Sequence, residues 1–455
     1  MTETLTRRFG HFTLSSSRPT VYCLIKHDDP AMQSLIESGF KSRLPKSYKI
    51  IRSMAEYRGG PLLQVGSKDS LDFETAFHQP SMLISSYVTR DALTRKHLLA
   101  QVYAKRIAKH PDSLLKTNVK AIENLDLSSS TSLFDLLDDT LLGETLQSNE
   151  EKTPADRVWW MLRPDMEGGS QDLSLFSTVD ELQATFDSWD DDTEKDHAEG
   201  EQLDHANPDH SRSSVHSPVD TDADADAFPS ESGGWSSFMH ITVTTEEKVE
   251  EDKPQRHVIA QRYVSRPLTF DSRKFQVSAY VLAVGALKVF VYRPMLALFA
   301  NSPFTAPWET SSGNDLQSHS TFEGKVRLFW DLPDQPRGWK ESVFNQICGI
   351  TGEVFAAAGT REMKAHFQPL PQAFELFAAN FAVDCTGKAM LADIRASPGF
   401  HHQTECGAKL GKMVEGLYEE VAEYAVKPFF EGESAKAPKA SGRLVKVVDI
   451  DSKLV

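Results

Sequence analysis

Cysteine is scarce in this chain, and long apolar runs are missing. Only four cysteines occur among 455 residues, and no two of them form a CxxC pair, which argues against a disulfide framework or a structural zinc site. No apolar stretch approaches the roughly 20 residues that a membrane span needs. The opening MTETLTRRFGHFTLSSS lacks the apolar core of a secretory signal. We therefore expect a cytoplasmic protein without a membrane partner.

Positive charge is also in short supply. The chain has 65 acidic and 49 basic residues, which give a net charge of −16. Residues 190–226 hold thirteen Asp and Glu against two Lys and Arg, and these account for −11 of that charge. The remainder is mildly acidic, whereas a nucleic-acid backbone is held by patches of Lys and Arg. A nucleic-acid partner is therefore not expected.

Composition divides the chain into five parts. Residues 190–236 are rich in Asp, Ser, Pro and Gly, so they cannot bury enough apolar surface to offset the entropy of ordering. We predict a disordered acidic linker there. The other predicted parts are an N-terminal α/β domain (1–85), a central subdomain (86–189), a C-terminal subdomain (237–430) and a tail (431–455). The last part of the tail has the pattern of an edge strand.

A helix is predicted at 89–110, where apolar residues recur near a 3.6-residue period. Six basic residues share this stretch, and they fit either a solvated helix face or a surface for an acidic substrate tail. A second helix is predicted at 178–189. Thr178 and Glu181 have the spacing of a capping box, which places the start of that helix.

Apolar runs and alternation predict strands in both halves of the chain. The predicted strands are 19–26, 48–53, 158–162, 173–176, 240–245, 257–264, 274–284, 286–293, 374–384 and 388–394, with helices at 341–358 and 407–424. Two strand-rich halves with flanking helices indicate an α/β (α+β) fold in which a ligand is held between two subdomains.

Four blocks of the sequence resemble the tubulin–tyrosine ligase-like family and occur in its order. They are RDALTRKHLLAQVYAKRIAKHPDSLL (90–115), RVWWMLRPDMEGGSQDLSLFSTVDELQATFDSW (157–189), QRYVSRPLTFDSRKFQVSAYVLAVGALKVFVYRPMLALFA (261–300) and FELFAANFAVDCTGKAMLADIRASPGF (374–400). The fungal P-body-associated branch of the family is the most similar one.

This resemblance implies an ATP-grasp fold, in which two subdomains clasp a nucleotide and a small α/β domain precedes them. It also implies ATP and Mg²⁺ as cofactors. Family members activate a carboxylate as an acyl phosphate and join it to an amine, on tubulin or a similar C-terminal tail. P-body proteins are the alternative partners that the fungal branch suggests.

Six residues are placed at the nucleotide by the resemblance: Arg163, Gln171, Gln261, Arg262, Tyr263 and Lys274. Arg163 stands where the family usually has a phosphate-binding lysine, although an arginine after a strand also fits a surface ion pair. Gln171 belongs to the loop EGGSQD (167–172), which lacks the family's basic residue and also fits a simple turn. Tyr263 fits either an adenine contact or strand packing.

The metal-binding hairpin of the family presents an Asp, then a Glu and an Asn two residues apart. The matching positions here are Asn380, Asp393 and Arg395. Asp393 and Asn380 are the expected metal ligands, whereas Arg395 cannot bind a cation. Arg395 is expected to repel magnesium, to pair with Asp393, or to contact phosphate in place of the metal. Ser278 stands where the family has an arginine for the γ-phosphate.

Two functions of different class follow from these residues. The first is an ATP-dependent ligase that joins an amino acid to a protein acceptor. The second is an inactive pseudo-ligase that keeps the fold as a scaffold for a protein partner, in P-bodies. The altered residues Ser278, Asn380 and Arg395 are those that distinguish the two hypotheses.

Overall fold

The structure is a computed structural model. It describes residues 19–127, 133–165, 174–188, 256–309, 316–321, 324–334, 336–396, 398–400, 407–432 and 441–450. The predicted acidic linker (190–236), the predicted strand at 240–245 and the loop at 167–172 lie outside these residues. No helix within the described ranges is long and apolar enough to cross a bilayer.

The N-terminal sheet has four parallel strands in the order β2-β1-β3-β4. They are β1 (Val21–Ile25), β2 (Tyr48–Ile51), β3 (Leu62–Val65) and β4 (Met82–Ile84), with helices α1 (Pro30–Arg43) and α2 (Phe73–His78) between them. The strands predicted at 19–26 and 48–53 are confirmed. Helix α1 begins at Pro30 because the carboxylate of Asp29 accepts hydrogen bonds from the first free backbone amides.

The helix predicted at 89–110 is two helices, α3 (Asp91–Thr94) and α4 (Lys96–Lys109), followed by α5 (Leu115–Asn118). The prediction of one continuous helix was wrong because Arg95 is extended. A distant carboxylate, that of Asp165, accepts a hydrogen bond from the backbone amide of His97 at 2.9 Å and so caps α4.

The basic residues of α4 are largely compensated within the protein. Arg106 lies 3.3 Å from Glu353, and Lys109 lies 2.5 Å from Glu362. Lys96 is buried. The structure therefore fits neither a uniformly solvated face nor an unpaired basic surface along this helix.

A small antiparallel sheet follows, with the strand order β5-β8-β6-β7. Its elements are β5 (Ile122–Leu127), α6 (Leu133–Leu137), α7 (Leu141–Asn149), β6 (Trp160–Pro164), β7 (Ser174–Phe176), α8 (179–188) and β8 (Arg256–Arg262). The predicted capping box is confirmed. Thr178 and Glu181 exchange two hydrogen bonds, both at 3.2 Å, between the side chain of each and the backbone amide of the other.

The large sheet is built around one long strand, β10. Its strands are β9 (Thr269–Phe270), β10 (Arg273–Val284), β11 (Lys288–Tyr292), β12 (Leu296–Phe299), β13 (Val326–Leu328), β14 (Phe374–Val383), β15 (Ala389–Ala396) and β16 (Leu444–Asp449). The β14–β15 hairpin matches the predicted one, and Asp384 forms its turn by accepting hydrogen bonds from the backbone amides of Thr386 and Lys388. The expected edge strand in the tail is confirmed as β16, which pairs with β11.

Helices cover both faces of the large sheet. They are α9 (Leu316–His319), α10 (Trp339–Ala358), α11 (Gly407–Val421), a π-helical turn (Ala422–Val426) and α12 (Lys427–Glu431). Side chains of β10 alternate between two cores. Phe275 and Val277 pack in the core that contains α10, whereas Tyr280 and Leu282 pack in the core shared by α11 and the N-terminal sheet.

Candidate functional site

A buried ion pair joins the small sheet to the large sheet. Arg163, in β6, donates a hydrogen bond from Nη2 to Oδ2 of Asp393, in β15, at 3.0 Å. Asn380, in β14, is the direct ladder partner of Asp393 and donates from Nδ2 to Oδ1 at 2.6 Å. The two side chains of the ion pair are only 9% and 7% exposed. Both carboxylate oxygens of Asp393 are therefore engaged by protein donors.

Gln261 extends this network from β8. Its Oε1 accepts a hydrogen bond from Nη1 of Arg163 at 3.2 Å, and its Nε2 donates to the backbone oxygen of Ala392 at 3.1 Å. Ala392 is the extra residue where the β14–β15 register shifts. A bulge leaves the backbone groups of such a residue free of the ladder, so they are available to a partner from another sheet.

Three cationic side chains surround the carboxylate of Asp393. Arg395 approaches it with Nε at 3.5 Å from Oδ1, which is the pairing that the sequence left open. Burial by itself raises the pKa of Asp393, but the charges of Arg163 and Arg395 outweigh it and lower that pKa to about 2. Burial, followed by the charge of Arg163, lowers the pKa of Lys96 to about 8.

Lys96 is held beside this cluster by the residue that caps its helix. Its Nζ donates a hydrogen bond to the backbone oxygen of Asp165 at 3.1 Å. The Asp165 carboxylate accepts the backbone amide of His97 at Oδ1, and its Oδ2 lies 2.7 Å from Nδ1 of the same histidine. Because Asp165 directly follows β6, the same short segment positions Arg163 and Lys96.

A second polar group lies at the start of β10. Nζ of Lys274 donates to the phenol oxygen of Tyr263 at 3.1 Å and to the backbone oxygen of His319 at 3.3 Å. The phenol oxygen lies 2.7 Å from Nδ1 of His319. Burial, followed by the charge of Arg163, lowers the pKa of Lys274 to about 7, and burial lowers that of His319 to about 3. The imidazole is therefore neutral, and its Nδ1 shares a hydrogen bond with the phenol.

The donor set around Asp393 does not fit magnesium. Mg²⁺ requires an octahedron of oxygens and is usually bound by one or two carboxylates together with phosphates. Here the oxygens of Asp393 are committed to Arg163, Asn380 and Arg395. Oδ1 of Asn380 is buried and accepts no hydrogen bond from a described residue, but one neutral oxygen is too few. The surrounding cations suit a polyphosphate instead.

The structure brings together four of the six residues predicted at the nucleotide. Arg163 and Gln261 are hydrogen bonded, and Tyr263 and Lys274 form the neighbouring pair. The side chain of Arg262 is exposed and makes no contact with the other four among the described residues, because adjacent strand residues point to opposite faces. Gln171 lies outside the described residues. Ser278 is the ladder partner of Asn380.

Sequence reasoning missed Lys96, His97, Asp165 and His319 as parts of the site. Lys96 was grouped with the basic face of a predicted helix, although it is buried. His319 lies in the segment HST (319–321), where no spacing or periodicity marks it as part of a site. The sequence does contain one signal for the cap of α4. Asp165 directly follows Arg163 and Pro164 at the end of β6, and a carboxylate at a strand end is available to cap a helix packed there.

Comparison with known proteins identifies the family. A model of the tubulin–tyrosine ligase family matches residues 82–433. This chain belongs to the tubulin–tyrosine ligase family. The family match spans the three helices after the N-terminal sheet, the small sheet and the β14–β15 hairpin, so it contains every described residue of the site.

Two fungal members of the tubulin–tyrosine ligase family are similar along most of the chain. A probable tubulin–tyrosine ligase of Schizosaccharomyces pombe is 30% identical over 446 residues, which cover 96% of this chain and 99% of that protein. The probable tubulin–tyrosine ligase PBY1 of Saccharomyces cerevisiae is 29% identical over 437 residues. That match covers 90% of this chain but 53% of the yeast protein.

A solved structure confirms the expected ATP-grasp fold. The C-terminal domain of K. lactis Pby1, described as an ATP-grasp enzyme interacting with the mRNA decapping enzyme Dcp2, superposes with a TM-score of 0.66 at 25% identity. The superposition covers 95% of this chain and 99% of the K. lactis chain. The α/β fold class and the family resemblance predicted from the sequence are thus confirmed.

Proposed function

We propose that this chain is a nucleotide-binding pseudo-ligase. It binds ATP between the small sheet and the large sheet, and its turnover as an amino-acid ligase is negligible. The observation that carries this proposal is that Arg163, Asn380 and Arg395 occupy both oxygens of Asp393, the only carboxylate among the three positions of the metal hairpin.

The cations of the site support ATP binding. Lys274, Arg163, Arg395 and Lys96 interact electrostatically with one another or with Asp393. Charge-assisted hydrogen bonds from such groups are the usual means of holding phosphate oxygens. An arginine also supplies two parallel donors at fixed geometry, so Arg163 and Arg395 can supply positive charge that magnesium supplies elsewhere.

Transfer of the γ-phosphoryl group makes further demands that support the inactive function. Catalysis of this kind depends on groups placed where charge develops in the transition state, and losing one such donor costs about 10²–10³ in rate. Ser278 is neutral where the family has an arginine, and Arg395 replaces a metal ligand. These losses combine to leave ATP bound but its γ-phosphoryl group poorly activated.

A protein partner is part of the proposal. K. lactis Pby1 is described as interacting with the decapping enzyme Dcp2, and that structure aligns with 95% of this chain. We extend this description to the present chain as a scaffold role in mRNA decapping, with a location in the cytoplasm and in P-bodies. The nucleotide then acts as a ligand that stabilises the partner-binding form.

Calorimetric titration with ATP tests the binding part of the proposal. Two titrations are run, one with excess EDTA and one with magnesium chloride. Saturable binding in both, with affinities that differ by less than about threefold, is expected, because protein cations stand in for the metal. Lys274→Met is the negative control and should lose binding. Binding that requires magnesium would contradict the proposal.

The ligase remains the second candidate, because Asp393 keeps a carboxylate at the family's metal position. The test is ATP-dependent incorporation of labelled tyrosine, glutamate or glycine into tubulin. We expect none in the wild-type chain. The triple variant Asn380→Asp, Asp393→Glu, Arg395→Asn restores the family's ligand pattern and is the matched gain-of-function control. Incorporation by the wild type that disappears in Asp393→Ala, under conditions in which circular dichroism shows this variant to be folded, would establish the ligase instead.

A further inference from the structure

The chain enters and leaves the small sheet through two short segments, and both lie against the β14–β15 hairpin. The first crossing, residues 119–121, leads into β5 and forms a β-bridge to Leu391 of β15. The second crossing, residues 263–268, leads from β8 to β9 and forms a β-bridge to Asp384 in the hairpin turn. The hairpin is therefore the place where the two crossings are anchored to the large sheet.

Three cationic side chains gather at this place. Lys120 belongs to the first crossing, Arg262 directly precedes the second, and Lys388 directly precedes β15. The backbone amide of Arg262 donates to the backbone oxygen of Ala121 at 2.9 Å, and that of Asp384 donates to the backbone oxygen of Lys388 at 3.0 Å. The side chains are close enough for the charges of Arg262 and Lys388 to act on Lys120.

The positive charge of this cluster is not balanced within the described part of the chain. None of the three side chains forms a hydrogen bond or an ion pair with a described residue. Asp384 is the carboxylate whose charge acts on Lys120, and its Oδ1 accepts the backbone amides of Thr386 and Lys388 in the turn. Three cations facing one carboxylate leave two positive charges uncompensated.

Partial burial makes the charge of Lys120 costly. The residue is half-buried, and burial, followed by the charge of Arg262, lowers the pKa of Lys120 to about 8. A charged group that is withdrawn from water without a partner is unfavourable. An anion placed beside Lys120 removes this cost and favours the ammonium form of the side chain.

The backbone that carries the cations is held in place by packing and by hydrogen bonds. Val264 of the second crossing packs with Ala382 and Met390 of the hairpin, and all three are buried. Gln346 of α10 bonds the residues on either side of Lys388, since it donates to the preceding carbonyl and accepts from the following amide, both at 3.0 Å. The cluster is therefore built on fixed backbone rather than on a loose loop.

We propose that Lys120, Arg262 and Lys388 bind a phosphate dianion, which bridges the two crossings and the hairpin. A phosphate monoester carries a charge of about −1.5 to −2 at neutral pH and offers three acceptor oxygens, which matches the uncompensated charge and the three donors. The ligand is inorganic phosphate or a small phosphate monoester. The site is separate from the nucleotide cleft, since Lys388 and Asp393 are five residues apart, roughly 16 Å at the rise of a strand.

The probes that test this proposal are inorganic phosphate, phenyl phosphate and dimethyl phosphate. Each is titrated calorimetrically into the full-length chain at fixed ionic strength, so that screening stays constant. The first two should bind saturably, and dimethyl phosphate at least tenfold more weakly because it carries a single negative charge. Tighter binding of inorganic phosphate indicates the free ion as ligand, and equal or tighter binding of phenyl phosphate indicates a monoester; both results support the proposed class.

Variants of the cluster complete the test. The double variant Lys120→Met, Lys388→Met should weaken phosphate binding by at least tenfold, and Lys388→Met alone, which spares the half-buried Lys120, by at least threefold. Lys116→Met removes an exposed lysine of the neighbouring helix α5 and should leave the affinity within about twofold. Lys274→Met should do the same, so the result is independent of ATP binding. Equal binding of dimethyl phosphate, an unchanged affinity in the double variant, or a loss in Lys274→Met instead would overturn the proposal.

Discussion

Arg90 lies 3.2 Å from Oε1 of Glu375, and this ion pair joins the segment after the N-terminal sheet to the first residues of β14. Their side chains are only 15% and 4% exposed. Burial nevertheless outweighs the charge of Arg90 and raises the pKa of Glu375 to about 7. The connection between the two sheets therefore includes a carboxyl group that titrates near neutral pH.

Stability should depend on pH through Glu375. The pKa of this group is higher in the folded state than its ordinary value of 4.5, so its contribution to stability is fully present below about pH 4.5 and is lost as pH rises through about 7. Between about pH 5 and pH 8, the free energy of unfolding of the wild type should fall relative to that of Glu375→Gln by up to about 3 kcal/mol. Urea denaturation at several pH values measures this difference, and a difference that does not change with pH would contradict it.

Removing Asp393 should destabilise the fold strongly. Asp393→Ala leaves the buried guanidinium of Arg163 without its partner, and breaking a buried pair in this way costs about 3–5 kcal/mol. The double variant Arg163→Met, Asp393→Leu should recover part of that loss, because the buried guanidinium is removed together with its carboxylate partner, while Arg395 and Lys96 still lose the charge of Asp393. Chemical denaturation gives the values, with Asp112→Ala, at an exposed position, as the control. A double variant that is less stable than Asp393→Ala would argue against this account.

Binding of ATP should take up a proton at mildly alkaline pH. Burial lowers the pKa of Lys274 to about 7, so the free protein holds much of this group neutral at about pH 8, and nearby phosphate favours the ammonium form. Calorimetry in two buffers of different ionisation enthalpy should show an uptake approaching one proton. In Lys274→Arg most of the uptake should disappear, since an arginine stays charged, and Lys96, whose pKa is about 8, accounts for the remainder. The same uptake in that variant would assign the proton to another group.

The capping box of α8 should contribute measurably to stability. Thr178→Ala removes the side-chain oxygen that accepts the backbone amide of Glu181, and the loss of such a cap costs about 1 kcal/mol. Thr178→Ser keeps the hydroxyl and should cost only a few tenths of that amount. Thermal or urea unfolding compares the two variants. Equal losses in both would show that the methyl group, not the cap, matters at this position.

Local features of the sequence predicted much of the fold. The β14–β15 hairpin followed from two apolar runs around a turn, and Asp384 forms that turn through neighbours within four residues. Thr178 and Glu181 cap a helix with partners three residues apart. Such features are readable because the interacting groups are close in the chain, where spacing alone decides whether they meet.

The candidate site was less predictable, because its residues are distant in sequence. The sequence by itself determined the β14–β15 hairpin, the capping box of α8 and the residue types of the site: an arginine at 163, a carboxylate at 393 and a lysine at 96. Only the tertiary structure decided that Asp165 caps the start of α4 from 68 residues away, and that Arg163 binds Asp393 across 230 residues. Periodicity carries no information about such contacts. The pKa values of these side chains and the energies of these contacts arise from burial, which exists only once the two sheets have packed together.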